Sequence, residues 1–193
     1  MHKDILICGV GGQGTVLASK ILAAAAMAEG MTVHSAETIG MAQRGGSVTS
    51  HVRIGDRVSS PLIPFGSADL LLAFEPAEAV RNLKYLKPEG IVITNTVPMK
   101  PVTEGLRPSG YEGPVMTDYL RGKCSCLFVD AEQMSALFGS GKFFNVVMLG
   151  VAAGSGRLGL SPDTLRQEIA RRVPDRFREI NLQAFEAGFQ RGC

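Results

Sequence analysis

Charge of one sign is scarce in this chain: 20 Lys and Arg stand against 18 Asp and Glu, a formal net charge of +2. That balance is too small to draw nucleic acid, and the basic residues form no long stripe. Long apolar runs are missing too, since none approaches the ~20 residues a membrane span requires. After His2-Lys3-Asp4 comes only a short apolar run broken by Gly9, which is unlike a secretory signal. The expectation is a cytoplasmic chain with neither nucleic acid nor membrane as a partner. Metal-binding and catalytic side chains are also thin. Of four cysteines, Cys8 sits in an apolar run and reads as a small buried hydrophobe, and Cys193 is terminal. Cys124-Ser125-Cys126 is a C-x-C without a second pair, which argues against an iron–sulfur or zinc site within this chain and leaves a redox role open. His2, His34 and His51 cannot be paired with a nucleophile by spacing, and Asp130 and Glu132 read as charges on a solvated loop. No catalytic residue and no metal site is assigned.

The chain does have the material for a core. It has 193 residues, 45% of them hydrophobic and 20% charged, which fits one globular domain over 1–193 with a helical segment at 161–190. Residues 4–10 read as a strand, 15–29 as an alanine-rich helix closed by Gly30, and 31–36 as a second strand. Residues 47–54 alternate at period two, with Val48, Ser50, Val52 and Ile54 on one face and Thr49, His51 and Arg53 on the other. Gly55-Asp56 then suggests a hairpin back through 57–59. Residues 68–74 form a nearly continuous apolar run suited to a central strand, a helix follows from Glu75-Pro76 to about 86, and 91–95 is another strand. Four prolines between 98 and 114 mark an irregular excursion, read equally as a plain loop or a docking arm. A strand at 127–130, an apolar helix at 145–153 in which Gly150 and Gly154 permit close packing, and a helix capped by Ser161-Pro162 complete the pattern. The fold class predicted is α/β: a three-layer, Rossmann-like sandwich with a mostly parallel, mixed sheet.

Two glycine loops carry the functional information. Gly9-Val10-Gly11-Gly12-Gln13-Gly14 joins a strand to a helix, the order that brings backbone N–H groups to an anion. Ala42-Gln43-Arg44-Gly45-Gly46-Ser47 sets a guanidinium beside two residues without side chains. The candidate ligand- or partner-facing residues are Gly9, Gly11, Gly12, Gln13, Gly14, Gln43, Arg44, Gly45 and Gly46, with Glu37 and Asn145 as further polar contacts. Both loops are expected at the C-terminal ends of adjacent strands. A nicotinamide-binding oxidoreductase is the alternative, but Glu37 falls later than the ~20-residue spacing of a ribose-binding acid.

These segments resemble a known family. The first loop, Gly40-Met41-Ala42-Gln43-Arg44-Gly45-Gly46-Ser47-Val48 and Ser50-His51-Val52-Arg53-Ile54-Gly55 are similar to the gamma-type domain of 2-oxoacid:ferredoxin oxidoreductases. Ser60-Pro61-Leu62-Ile63-Pro64, Phe74-Glu75-Pro76 and Asn145-Val146-Val147-Met148-Leu149-Gly150 bring it closest to the indolepyruvate-type members. The resemblance implies a subunit that binds no cofactor alone and is inactive by itself. Thiamine diphosphate and iron–sulfur clusters would lie on a large alpha-type partner, with coenzyme A as co-substrate and ferredoxin reached through the complex. The reaction implied turns an aryl-2-oxoacid, coenzyme A and oxidised ferredoxin into an aryl-acyl-CoA, carbon dioxide and reduced ferredoxin. Ile39 departs from the pattern, standing where many relatives have histidine. Replacing Arg44 by Ala is expected to leave the chain folded and to lower the activity of the assembled enzyme by a charge-assisted contact worth roughly 1.5–3 kcal/mol. Steady-state kinetics of the reconstituted complex would check it, and unchanged kinetics with assembly intact would make that loop structural.

Overall fold

The opening apolar run becomes the strand around which the sheet is built. The structure, a computed structural model, describes residues 2–39, 46–56, 58–99 and 110–193. Its strands are β1 (Lys3–Val10), β2 (Val33–Ile39), β3 (Ser47–Ile54), β4 (Ala68–Ala73), β5 (Leu86–Asn95) and β6 (Ser125–Val129). They form one six-stranded sheet in the order β2-β3-β1-β4-β5-β6. β1, β4, β5 and β6 are parallel, whereas β3 runs antiparallel to both neighbours, β1 and β2. The sheet is mixed and mostly parallel, as the sequence predicts.

Alternation along the strands assigns the layers. Ile5, Ile7, Val52, Ile54, Leu70, Leu72 and Ile93 point to one face, where they pack with the helices α1 (Thr15–Ala28), α5 (Phe144–Gly154), α6 (Pro162–Arg172) and α7 (Arg178–Gly192). Leu6, Cys8, Leu71, Ala73 and Val92 point to the other and meet Ala79 of α2 (Pro76–Asn82) and Leu120 of α3 (Gly113–Arg121). A short helix, α4 (Ala131–Phe138), follows β6. Local signals set several of these ends. α1 closes with Gly30 at φ +77°, where Gly30 N donates to the Met27 carbonyl and Met31 N to that of Ala26. This is a Schellman arrangement, and it needs the left-handed residue that glycine supplies without strain. Ser161 Oγ accepts from Asp163 N to cap α6, and Pro162 takes its first turn.

Three expectations are corrected. The hairpin across Gly55-Asp56 does not form, because both edges of β3 are already taken by β1 and β2. The chain after Gly55 instead crosses the face of the sheet, held there by side chains of β3. Arg53 donates to the carbonyls of Ser60 and Leu62 at 3.1 and 3.2 Å, and His51 Nδ1 accepts from Ile63 N at 3.1 Å. The same guanidinium meets the buried carboxylate of Asp4 through two bonds, at 2.8 and 3.1 Å. Burial, with Arg53 beside it, lowers the His51 pKa and keeps the ring neutral, as an acceptor must be. Next, β5 begins at Leu86 rather than at residue 91, and its pairing with β4 shifts register between Ala68 and Leu70. Finally, Asp130 is an N-cap rather than a loop charge, its Oδ1 accepting from Gln133 N at 2.9 Å to open α4.

α5 and α7 pack backbone to backbone. A Cβ on Gly150 would fall on the Phe185 carbonyl oxygen, one on Gly154 on that of Phe189, one on Gly188 on that of Val147, and one on Gly192 on that of Val151. Each helix thus offers two glycines four residues apart to the other, one helical turn repeated. Alanine at Gly150 or Gly188 is expected to force the helices apart and destabilise the fold by about 1–3 kcal/mol, the usual range for overpacking. Gly122→Ala is the control, since its Cβ meets its nearest neighbours at 3.7 Å. Urea denaturation would check this, by a lower midpoint for the first two variants and an unchanged one for the third.

Candidate functional site

The C-terminal end of the parallel strands opens into a cleft of about 360 Å³ between the first glycine loop and the start of α5. Gly12, Gln13 and Gly14 form one wall. Asn95, Val97, Pro98 and Met99 after β5, Ala131 and Ser135 of α4, and Gly141, Lys142, Phe144 and Asn145 form the rest.

One carbonyl ties these walls together. Phe74, at the end of β4, accepts from Gln13 Nε2 at 2.9 Å and from Asn95 Nδ2 at 3.2 Å. Gln13 Oε1 turns back to accept Val10 N at 2.8 Å, so both polar ends of that side chain hold the loop it belongs to. Asn95 is used as fully: Nδ2 also donates to the Val97 carbonyl, and Oδ1 accepts Val97 N and Ala131 N at 3.0 and 3.2 Å. Gly9 makes room for this arrangement, since a Cβ there would lie 2.6 Å from Gln13 Oε1. Gly14, at φ +81°, heads α1 with no side-chain cap, and a Cβ on it would come 2.6 Å from Asn145 Nδ2. Gly12 and Gly14 donate no backbone hydrogen bond to any described residue. With the first-turn donors of α1 they leave a set of N–H groups at the positive end of a helix dipole.

Among the described residues, the charge of the cleft has one sign. Lys142 is the single charged residue among those that line it; it is exposed and forms no ion pair with the described residues. Among the described residues, no carboxylate and no histidine lines the space. The lining therefore suits an anion, and it holds no acid–base pair or activated nucleophile.

The structure sorts the candidates read from sequence. Gly12, Gln13, Gly14 and Asn145 meet at the cleft, Gly9 packs beneath it, and Gly11 N donates to the Gly46 carbonyl at 2.8 Å, so the second loop ends against the first. Gln43, Arg44 and Gly45 lie outside the described residues. The strands that carry the two loops are not adjacent, as the sequence suggested; β3 lies between β1 and β2. Glu37 is consequently on the edge strand, where Oε1 accepts from Ser19 Oγ at 3.1 Å, and it does not reach the cleft. Asn95 and Lys142 are the residues that sequence reasoning missed. Asn95 ends the strand expected at 91–95, a position where ligands of open sheets gather, and that was its only signal.

Fold and cleft together define an open α/β domain whose described cleft residues offer backbone N–H groups and one ammonium at the strand ends. The chain belongs to the pyruvate ferredoxin/flavodoxin oxidoreductase family, whose pattern matches residues 4–191, in agreement with the resemblance carried by the glycine loops. It is 39% identical to the indolepyruvate oxidoreductase subunit IorB of Methanothermobacter thermautotrophicus, over 98% of this chain and 97% of that protein. The gamma subunit of a keto/oxoacid ferredoxin oxidoreductase from Geobacter sulfurreducens has the same fold, with a TM-score of 0.76 at 24% identity and 98% of each chain covered. A 2-oxoglutarate:ferredoxin oxidoreductase from Magnetococcus marinus, solved with 2-oxoglutarate, coenzyme A and succinyl-CoA bound, contains it as 31% of a longer chain, with a TM-score of 0.71 at 21% identity.

If Gln13 is the brace its bonds describe, Gln13→Ala destabilises the chain before any ligand or partner is present. Leaving Val10 N and the Phe74 carbonyl short of a partner costs about 1–3 kcal/mol. Thermal unfolding of the isolated chain would check this, and an unchanged midpoint would return Gln13 to a purely ligand-facing role.

Proposed function

We propose that this chain is the small subunit of an indolepyruvate-type 2-oxoacid:ferredoxin oxidoreductase, corresponding to its beta subunit. Its cleft completes a site on a large alpha-type partner that carries thiamine diphosphate and iron–sulfur clusters. The observation that carries this reading is the cleft itself, whose described lining suits an anion and supplies no acid–base pair to transform it. The end-to-end match to an indolepyruvate oxidoreductase subunit supports the aryl-2-oxoacid substrate. Among the described residues no three His, Cys, Asp or Glu side chains converge, so the donors they offer do not fit a cluster. The anionic groups of coenzyme A fit the free N–H groups of the first loop and the Lys142 ammonium. Among the described residues no carboxylate lines the cleft as the acceptor a nicotinamide ribose would want, which weakens the alternative reading.

The test is reconstitution with the large partner, followed by ferredoxin reduction that depends on both indolepyruvate and coenzyme A. Activity is expected only when both chains are present, and failure of the pair to assemble or to act on any 2-oxoacid would overturn the assignment. Within the active complex, Lys142→Ala is expected to raise KM for coenzyme A about tenfold, the loss of one charge-assisted contact, with KM for the 2-oxoacid little changed. An unaltered KM for coenzyme A would place that co-substrate elsewhere.

A further inference from the structure

The C-x-C pair lies away from the cleft, at the opposite end of β6, and the proposed function makes no use of it. Cys124 sits in the bend between α3 and β6, and Cys126 is the second residue of that strand. Residues two apart on a strand share a face, and here the two Sγ atoms are 3.5 Å apart. Each is otherwise bonded only to backbone: Cys124 Sγ donates to the Leu120 carbonyl at 3.6 Å, and Cys126 Sγ to that of Cys124 at 3.5 Å. Both side chains are partly exposed, and β6 is the last strand of the sheet. Cys8, by contrast, is fully buried under α2.

We propose that Cys124 and Cys126 form a two-electron thiol–disulfide site that closes on reaction with a low-molecular-weight aliphatic disulfide. The Cys124 thiol gives its proton to solvent, and its thiolate attacks one sulfur of the small disulfide. That S–S bond breaks, a mixed disulfide forms, and the departing thiolate takes up a proton. The Cys126 thiolate, its proton likewise lost to solvent, then attacks Sγ of Cys124 and expels the second small thiol. Two protein thiols are oxidised to one disulfide, and the small disulfide is reduced to two thiols. The order follows from placement, since Cys124 lies in the bend outside the ladder and Cys126 is fixed within β6, and burial sets the pKa of each thiol. Burial raises both, Cys126 to about 12, so the reaction is slow at neutral pH and accelerates as pH rises toward 9.

Closure draws the sulfurs from 3.5 Å to about 2.05 Å. The movement falls on Cys124, which is outside the ladder, whereas β6 is held to β5 from Ser125 onward. Two residues along an extended chain separate their Cα atoms by about 6.6 Å, at the upper limit of disulfide geometry. The bond is therefore strained, and excess reduced glutathione reopens it.

The experiment treats the full chain with excess glutathione disulfide at pH 8.5, followed by alkylation and tryptic mapping. Cleavage after Lys123 and Lys142 releases one peptide, 124–142, that contains both cysteines and no other. The expected product is this peptide lighter by about 2 Da, the two thiol hydrogens lost, and reverting under reduced glutathione. Exposed Cys193 takes up glutathione in the same sample and verifies the oxidant. Cys126→Ser is expected to trap a stable glutathione adduct on Cys124, and Cys124→Ser to form its adduct at least tenfold more slowly. A peptide that stays fully alkylatable, or one that ends with separate glutathione adducts on both cysteines, would overturn the proposal. If a variant does not fold, the map of the unaltered chain decides alone.

Discussion

The carbonyl of Phe74 holds the functional end of this molecule together. It directly follows β4, the strand between β1 and β5, and its two acceptor directions are filled by side chains from either side, Gln13 and Asn95. A loop that leaves its backbone donors open for a ligand cannot also use them to hold its own shape. The Gln13 side chain resolves that conflict by gripping Val10 N and Phe74 O, so that the N–H groups of Gly12 and Gly14 are not spent on any described residue. Asn95 does the same for the opposite wall, joining the ends of β4 and β5 to the start of α4. Because both walls share one anchor, their separation is set by the sheet rather than by either loop.

The reversed strand β3 is the second constraint. Inserted between β1 and β2, it pairs with both along its length and brings Ser47 opposite Val10, which delivers Gly46 to Gly11. The second glycine loop is thereby tied to the first although their parent strands do not touch. The insertion also moves β2 to the edge and takes Glu37 with it, away from the strand ends where a ribose-binding acid would be needed. On the opposite face of the sheet, α2 presents two buried carboxylates, and each has work within the fold. Glu78 accepts from Ser47 Oγ at 2.6 Å and pairs with Arg81, while Glu75 caps α2 and accepts from the Tyr111 hydroxyl. Both buried acids are thus engaged by hydrogen bonds or an ion pair within the fold.

Among the described residues the cleft offers helix-terminal donors and a single ammonium, groups that bind charge well, and no pair placed to move a proton. The backbone-to-backbone seam of α5 and α7 bears on the same cleft. α5 brings Phe144 and Asn145 to the cleft at its N-terminus, and its contact with α7 through four glycines leaves little freedom for that end to shift.

Much of this was legible because it is local. The first glycine loop, the Gly30 cap, the Ser161-Pro162 start and the two faces of β3 each depend on residues within a few positions of one another, and each stands where the sequence put it. Asp130 with Gln133 is a capping signal of the same kind, local in sequence and hidden only by its resemblance to solvated charge. What the sequence could not disclose was which strand lies beside which. Alternation reports the buried face of a strand, while pairing is made by backbone groups that every residue shares. The hairpin at Gly55 was therefore as good a reading of the pattern as the real pairing, until the occupied edges of β3 excluded it. For the same reason Lys142 and Asn95 entered the site unannounced: residues far apart in the chain met there through the order of the strands, and only the assembled sheet fixes that order.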